Sequence, residues 1–176
     1  MKFALFQYIP SRRVQRYPFE QQDTNRMILA FKDGRNVYTR WAARHFAHAL
    51  SLMDVSDLTV ICVPASTPTA HVRRWKRFSA LLCKMTGATD GFDLIEVSGS
   101  RIRAHVTGEY ELATNIKHYV RIDKERMQGR KLLVIDDIYT TGQSSAAFIN
   151  ALEAAGANVC LAVFLAKTRQ QQRMQP

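Results

Sequence analysis

Residues 131–145, KLLVIDDIYTTGQSS, constrain the fold more than any other stretch of the chain. Leu132, Leu133, Val134 and Ile135 form an uninterrupted apolar run, the pattern of a short strand buried on both faces in a parallel sheet. From Ser144 the composition turns helical, and Gly156 closes that helix. The polar residues in between therefore fall at the carboxyl end of a strand, where open α/β sheets bind ligands. Gly142 lets the backbone bend closely around a ligand. Successive N–H groups near the helix start, with the hydroxyls of Thr140, Thr141 and Ser144 beside them, can point at a phosphate. Asp136 and Asp137 would repel that anion, yet they suit vicinal sugar hydroxyls, or a divalent cation bridging hydroxyls and a diphosphate. The plain alternative is an ordinary strand-to-helix connection with a capping Thr or Ser and acids for solubility.

The rest of the chain extends an α/β pattern without repeats or low-complexity linkers. Helices are expected over residues 25–31 and 41–53, separated by Asp33-Gly34-Arg35-Asn36, and a further helix over 72–85, stopped at Gly87. Strands are expected over 58–64, 92–97, 116–122 and 159–165, a polar loop over 100–113, and a frayed tail over 169–176. A chain of 176 residues with 47% apolar composition suits a single domain with an ample core.

The net charge of +10 makes diphosphates, nucleotides and nucleic acids candidate partners. The densest cationic cluster, His71, Arg73, Arg74, Lys76 and Arg77 around Trp75, follows the strand expected at 58–64. If that strand lies beside the Asp-Asp strand, the small residues Ala65, Ser66, Thr67, Thr69 and Ala70 share its sheet edge and can present N–H groups to a diphosphate. The cations then add charge behind the loop, or they form the solvated face of a helix that buries Trp75, Phe78, Leu81 and Leu82. Cys62, Cys83 and Cys160 are far apart in apolar contexts and read as core thiols rather than a disulfide framework or zinc site. His45 and His48 share a helix face without a nearby acid and read as surface residues. No run approaches the roughly 20 apolar residues of a membrane span, and the N-terminal apolar run is too short for a secretory signal, so a cytoplasmic protein is expected.

Four apolar residues, two acids, two variable positions and then Thr-Thr-Gly resemble the phosphoribosyl-diphosphate (PRPP) signature of type I phosphoribosyltransferases. Within that family, Ile28-Leu29-Ala30-Phe31-Lys32-Asp33-Gly34-Arg35, Val63-Pro64, Arg74-Trp75-Lys76-Arg77-Phe78 and Asn115-Ile116-Lys117-His118-Tyr119 look like ComF-type (competence protein F, GntX-like) members, a likeness covering about residues 25–168. Ala65-Ser66 replaces a second Val-Pro of that group, and Lys76-Arg77-Phe78-Ser79 replaces Arg-Gly-Phe-Asn. The four-cysteine zinc module that many members carry at the N-terminus has no counterpart in these 176 residues.

The resemblance implies a type I phosphoribosyltransferase fold: a central, mostly parallel sheet flanked by helices, with a small hood subdomain for which residues 1–24 are a candidate. It implies a magnesium-PRPP substrate and a nucleobase or other nitrogen acceptor. Asp136 and Asp137 would hold the ribose hydroxyls or water on magnesium. Tyr139, Thr140, Thr141, Gly142, Gln143 and Ser144 would hold the 5-phosphate, and Ala65 and Ser66 would meet the diphosphate. Arg101, Arg103 and His105 lie where such enzymes carry a flexible loop that closes over diphosphate, or they belong to a plain solvated loop. Phe3, Phe6, Tyr8 and Tyr17 could stack on a base or merely pack. Similar proteins are often homodimers. Two other classes share these residues: a PRPP-binding regulator without turnover, and a DNA-handling accessory protein suggested by the charge and the ComF likeness. Both acids are expected to be at least partly exposed, so that replacing either would leave the fold near intact.

Overall fold

The computed structural model describes residues 1–98 and 119–169. In chain order, the described elements begin with β1 (Lys2–Tyr8), α1 (Ser11–Val14), α2 (Phe19–Lys32), α3 (Asn36–Leu50) and β2 (Thr59–Cys62). A helical stretch follows, made of α4 (Pro68–His71), a π-helical turn (Val72–Lys76) and α5 (Arg77–Thr86). After it come β3 (Thr89–Asp90), β4 (Ile95–Val97), β5 (Val120–Ile122), α6 (Lys124–Met127), β6 (Lys131–Tyr139), α7 (Gln143–Ala154) and β7 (Asn158–Thr168).

Five strands form one parallel sheet in the order β1-β7-β6-β2-β3. The central strand β6 is hydrogen-bonded on both edges, and Leu132, Leu133, Val134 and Ile135 are all buried, as a continuous apolar run requires. Successive strand residues point to opposite faces. Leu133 and Ile135 join a core with Ile28, Phe31, Phe46, Trp75, Phe78 and Leu82, from α2, α3 and the stretch ending in α5. Leu132 and Val134 join a second core with Phe148, Ile149 and Leu152 of α7. The chain is thus a three-layer α/β structure with helices on both faces of the sheet.

The N-terminal segment differs from its sequence reading. Lys2–Tyr8, grouped with residues 1–24 as a hood candidate, is instead the edge strand of the central sheet, paired along β7 from Lys2 with Ala162 to Tyr8 with Thr168. Phe3, Phe6 and Tyr8 pack half-buried against the core, and Phe6 stacks on Trp41 with ring centroids 5.4 Å apart. The strand was hidden because Phe3, Ala4, Leu5 and Phe6 do not alternate with polar residues. The helix expected at residues 25–31 starts at Phe19, and the one expected at 41–53 starts at Asn36.

The strand expected over residues 92–97 is shorter: Phe92–Leu94 is a 3₁₀ turn and only Ile95–Val97 is extended. It pairs antiparallel with Val120–Ile122 in a separate two-stranded sheet. No helix among the described residues is long and apolar enough to cross a membrane.

Candidate functional site

The site is built where β6 and β2 end side by side. Cys62 pairs with Ile135, and the Val63 N–H donates to the Ile135 carbonyl at 2.8 Å, so the segments after both strands leave the sheet at one edge. From β6 come Asp136, Asp137 and the turn 139–144, and from β2 come Pro64, Ala65 and Ser66.

The turn after β6 is shaped by Gly142, which adopts the left-handed conformation (φ +78°) at the start of α7. A Cβ there would run into the Tyr139 ring, with Tyr139 Cζ 2.6 Å away. Tyr139 in turn lies edge-on to Phe164, centroids 4.8 Å apart, with Lys167 Nζ 5.8 Å from its ring centre. The Tyr139 ring therefore occupies the inside of the turn and leaves Thr140, Thr141 and Gln143 exposed. Gly142 as N-cap offers no side chain to the first turn of α7, the Gln143 N–H donates to Thr141 Oγ1 at a long 3.5 Å, and Ser145 Oγ donates to the Gly142 carbonyl at 3.0 Å. An exposed turn leading into the N-terminus of a 12-residue helix is suited to an anion, through oriented backbone dipoles.

The two acids differ sharply. Asp137 is 6% exposed, and its Oδ2 accepts from Arg74 Nη1 at 2.7 Å in an ion pair with side chains only 12% and 8% exposed. Its Oδ1 accepts from the Ile138 N–H at 2.6 Å. The expectation that both acids are at least partly exposed fails for Asp137, because strand alternation turns it toward the face from which the Arg74 helix packs. Asp136 is half-buried, and its Oδ1 accepts from the Asp137 N–H at 2.8 Å. Burial and the adjacent Asp137 charge push the Asp136 carboxyl well above the usual carboxylate range, against the Asp137 N–H, Arg74 and Lys32, which favour ionisation. An acid that resists ionising when alone gains from a cation or from hydroxyl donors.

Behind the β2 loop sits His71, 3% exposed and stacked on Phe92 with planes 13° apart. Its Nδ1 accepts from the Ala65 N–H at 3.4 Å, which places the ring proton on Nε2, a buried atom with no hydrogen-bond partner among the described residues. Burial, then the nearby Arg74 charge, pushes this imidazole down to about 4, so it is neutral at ordinary pH. Ala65, expected to offer its amide to a diphosphate, is buried with that amide turned to His71, while Ser66 beside it is exposed. Thr67 caps α4 by accepting from the Ala70 N–H at 3.2 Å.

The basic cluster divides in the same way. Trp75, Phe78 and Leu82 are buried, Arg73, Lys76 and Arg77 are exposed, and Arg74 alone turns to the acid pair. Sequence reasoning placed Arg74 in this cluster without separating it from its neighbours, and it did not assign a role to His71 under the loop. Arg101, Arg103 and His105 lie outside the described residues.

Among the described residues no three His, Cys, Asp or Glu side chains converge on a point that could hold a metal ion. Magnesium fits such a site when phosphates and waters supply most of its ligands and the protein adds one or two carboxylates, and Asp136 is of that kind. Cys62 and Cys83 are buried, and burial pushes both thiols up, Cys83 to about 12, as expected of unreactive core residues.

The model of a family described as PRTase ComF-like matches residues 1–175. The comparison with curated proteins returns no match.

Proposed function

The chain belongs to the ComF-like phosphoribosyltransferase family, and from that premise we propose that it binds magnesium-PRPP at the β6–β2 edge and transfers phosphoribose to a nitrogen acceptor, such as a nucleobase, with release of diphosphate. The observation that carries this reading is the juxtaposition at one strand end of a half-buried acid, Asp136, and an exposed glycine-shaped turn that opens a helix.

Displacing diphosphate from the anomeric carbon develops positive charge on the ribose ring, so the protein's tasks are orientation, neutralisation of the leaving group and exclusion of water. The 5-phosphate is held by the backbone and hydroxyls of residues 139–144, with the α7 dipole aligned on it. Asp136 accepts from the ribose hydroxyls, or from water on magnesium, and fixes the face of the sugar presented to the acceptor. The diphosphate lies toward Ser66 and the β2 loop. Magnesium, when bound, supplies charge neutralisation to the leaving diphosphate. Arg101, Arg103 and His105 are proposed to close over the diphosphate.

Calorimetric titration of PRPP with and without magnesium tests the binding step, and nucleotide formation from a panel of nucleobases tests turnover. Saturable, magnesium-dependent binding that Asp136→Asn removes is the expected result. Equal heats for parent and Asp136→Asn would refute the site.

A further inference from the structure

We propose that Arg74 is a positioning residue that withdraws Asp137 from the ligand and leaves Asp136 as the acid that meets the ribose hydroxyls or the metal's water. This inference rests on the PRPP-binding reading and divides the labour of its acid pair.

Both carboxylate oxygens and the N–H of Asp137 are already engaged within the protein. Its Oδ2 accepts from Arg74 Nη1 at 2.7 Å, its Oδ1 from the Ile138 N–H at 2.6 Å, and its own N–H donates to Asp136 Oδ1 at 2.8 Å. Arg74 is anchored at a second point, where Nε donates to the Lys32 carbonyl at 2.8 Å. Lys32 ends α2, so that carbonyl lacks an intrahelical partner and welcomes a cationic donor. A chain of hydrogen bonds thus runs from the C-terminus of α2 through Arg74 and Asp137 to Asp136. A planar guanidinium can satisfy the carbonyl and the carboxylate together in one fixed geometry, which a lysine ammonium cannot reproduce.

Two backbone features exist around this anchor. The first is the π-helical turn Val72–Lys76, in which one extra residue per turn re-aims the side chains, letting Trp75 fill the core while Arg74 reaches the acid pair. The second is Gly34, with φ +73°, where a Cβ would stand 2.6 Å from Arg73 Cγ and 2.8 Å from the Arg73 carbonyl oxygen. Only glycine lets the turn after α2 lie directly on the π-helical turn, and that close approach brings the Lys32 carbonyl within reach of Arg74. The Asp33-Gly34 turn, far from the acid pair in sequence, is therefore part of its support.

Magnesium-PRPP titrations of the parent, Arg74→Met, the Arg74→Met/Asp137→Asn double variant and Asp136→Asn test this, each run well below its own melting temperature. Arg74→Met is expected to weaken binding about ten- to a hundredfold, the range found for residues that orient a metal ligand from behind. The double variant, which leaves no unpaired buried charge, is expected to recover most of that loss, whereas Asp136→Asn loses binding without losing stability. A folded double variant as inactive in binding as Asp136→Asn would place Asp137 on the ligand and overturn the inference. So would parent-like binding by Arg74→Met. Absence of binding by the parent would instead overturn the proposed function, and this inference with it.

Discussion

Gly142→Ala isolates the turn proposed to hold the phosphate. At φ +78° an alanine pays the steric penalty of the left-handed region, about 1–2 kcal/mol. Its methyl group would also meet the Tyr139 ring, with Cζ at 2.6 Å and Cε2 at 2.7 Å, so the ring must leave its place against Phe164. Losing that edge-on pair adds about 0.5–1.5 kcal/mol. The total, about 1.5–3.5 kcal/mol, corresponds to a melting point lowered by about 3–14 °C for a chain of this size. Urea and thermal denaturation measure it directly. The two contributions separate in a Tyr139→Leu background, where the ring is gone and the same substitution is expected to cost only about the 1–2 kcal/mol of the backbone. Ribose 5-phosphate binding should be lost in both backgrounds, because the turn itself is altered. A cost below about 0.5 kcal/mol, or an equal cost in the two backgrounds, would refute the assignment of Tyr139 as the wedge that holds the turn.

Asp137→Ala strands the Arg74 guanidinium in a site where both side chains are nearly buried, so it should cost about 3–5 kcal/mol, read as a lowered urea midpoint, far more than an exposed pair would. For Asp136 the folded chain holds its proton to higher pH than the unfolded chain, whose carboxyl titrates near 3.8. Its stabilising contribution is complete below that value and is lost as pH rises through the raised one, so Asp136→Asn should raise the melting point at pH 8 and flatten the alkaline slope. His71 has the opposite sign: its imidazole, held down to about 4 from 6.5, resists protonation in the folded chain. Stability present above pH 6.5 should fall by about 3 kcal/mol as pH drops through that window, and His71→Gln should remove this slope in a melting-point profile.

The fold was legible wherever burial was unambiguous. Leu132 to Ile135 and Val60 to Val63 carry no polar residue, and a strand buried on both faces needs none. Edge elements were harder. In β1 the residues Phe3, Leu5 and Phe6 are only half-buried, and without alternation their pattern does not distinguish a sheet edge from an irregular segment. The two-residue strand Thr89–Asp90 is held by register with Thr59 and Val60 rather than by any propensity of its own. The π-helical turn leaves no signature either, since Val72 to Lys76 have ordinary helical composition and the extra residue answers to the approach of Gly34, a tertiary contact.

At the site, the pairing of acid and phosphate-type turn was visible because both lie in one continuous segment, while the partners that distinguish the acids come from distant ones. Arg74 is 63 residues from Asp137 and 42 from Lys32. One part of the difference in burial between the two acids was nonetheless available from strand geometry alone. Asp136 and Asp137 are consecutive residues of a single extended strand, and consecutive side chains of a strand project to opposite faces. Two such acids direct their carboxylates to opposite faces of the sheet. The second acid has to be accounted for on the other side, and in a sheet covered by helices on both faces that side is a protein interior, where an ionised carboxylate persists only with a paired cation. A buried cation was therefore implied by the adjacent acids and the apolar run before them, and the basic helix following the neighbouring strand was the segment able to supply it.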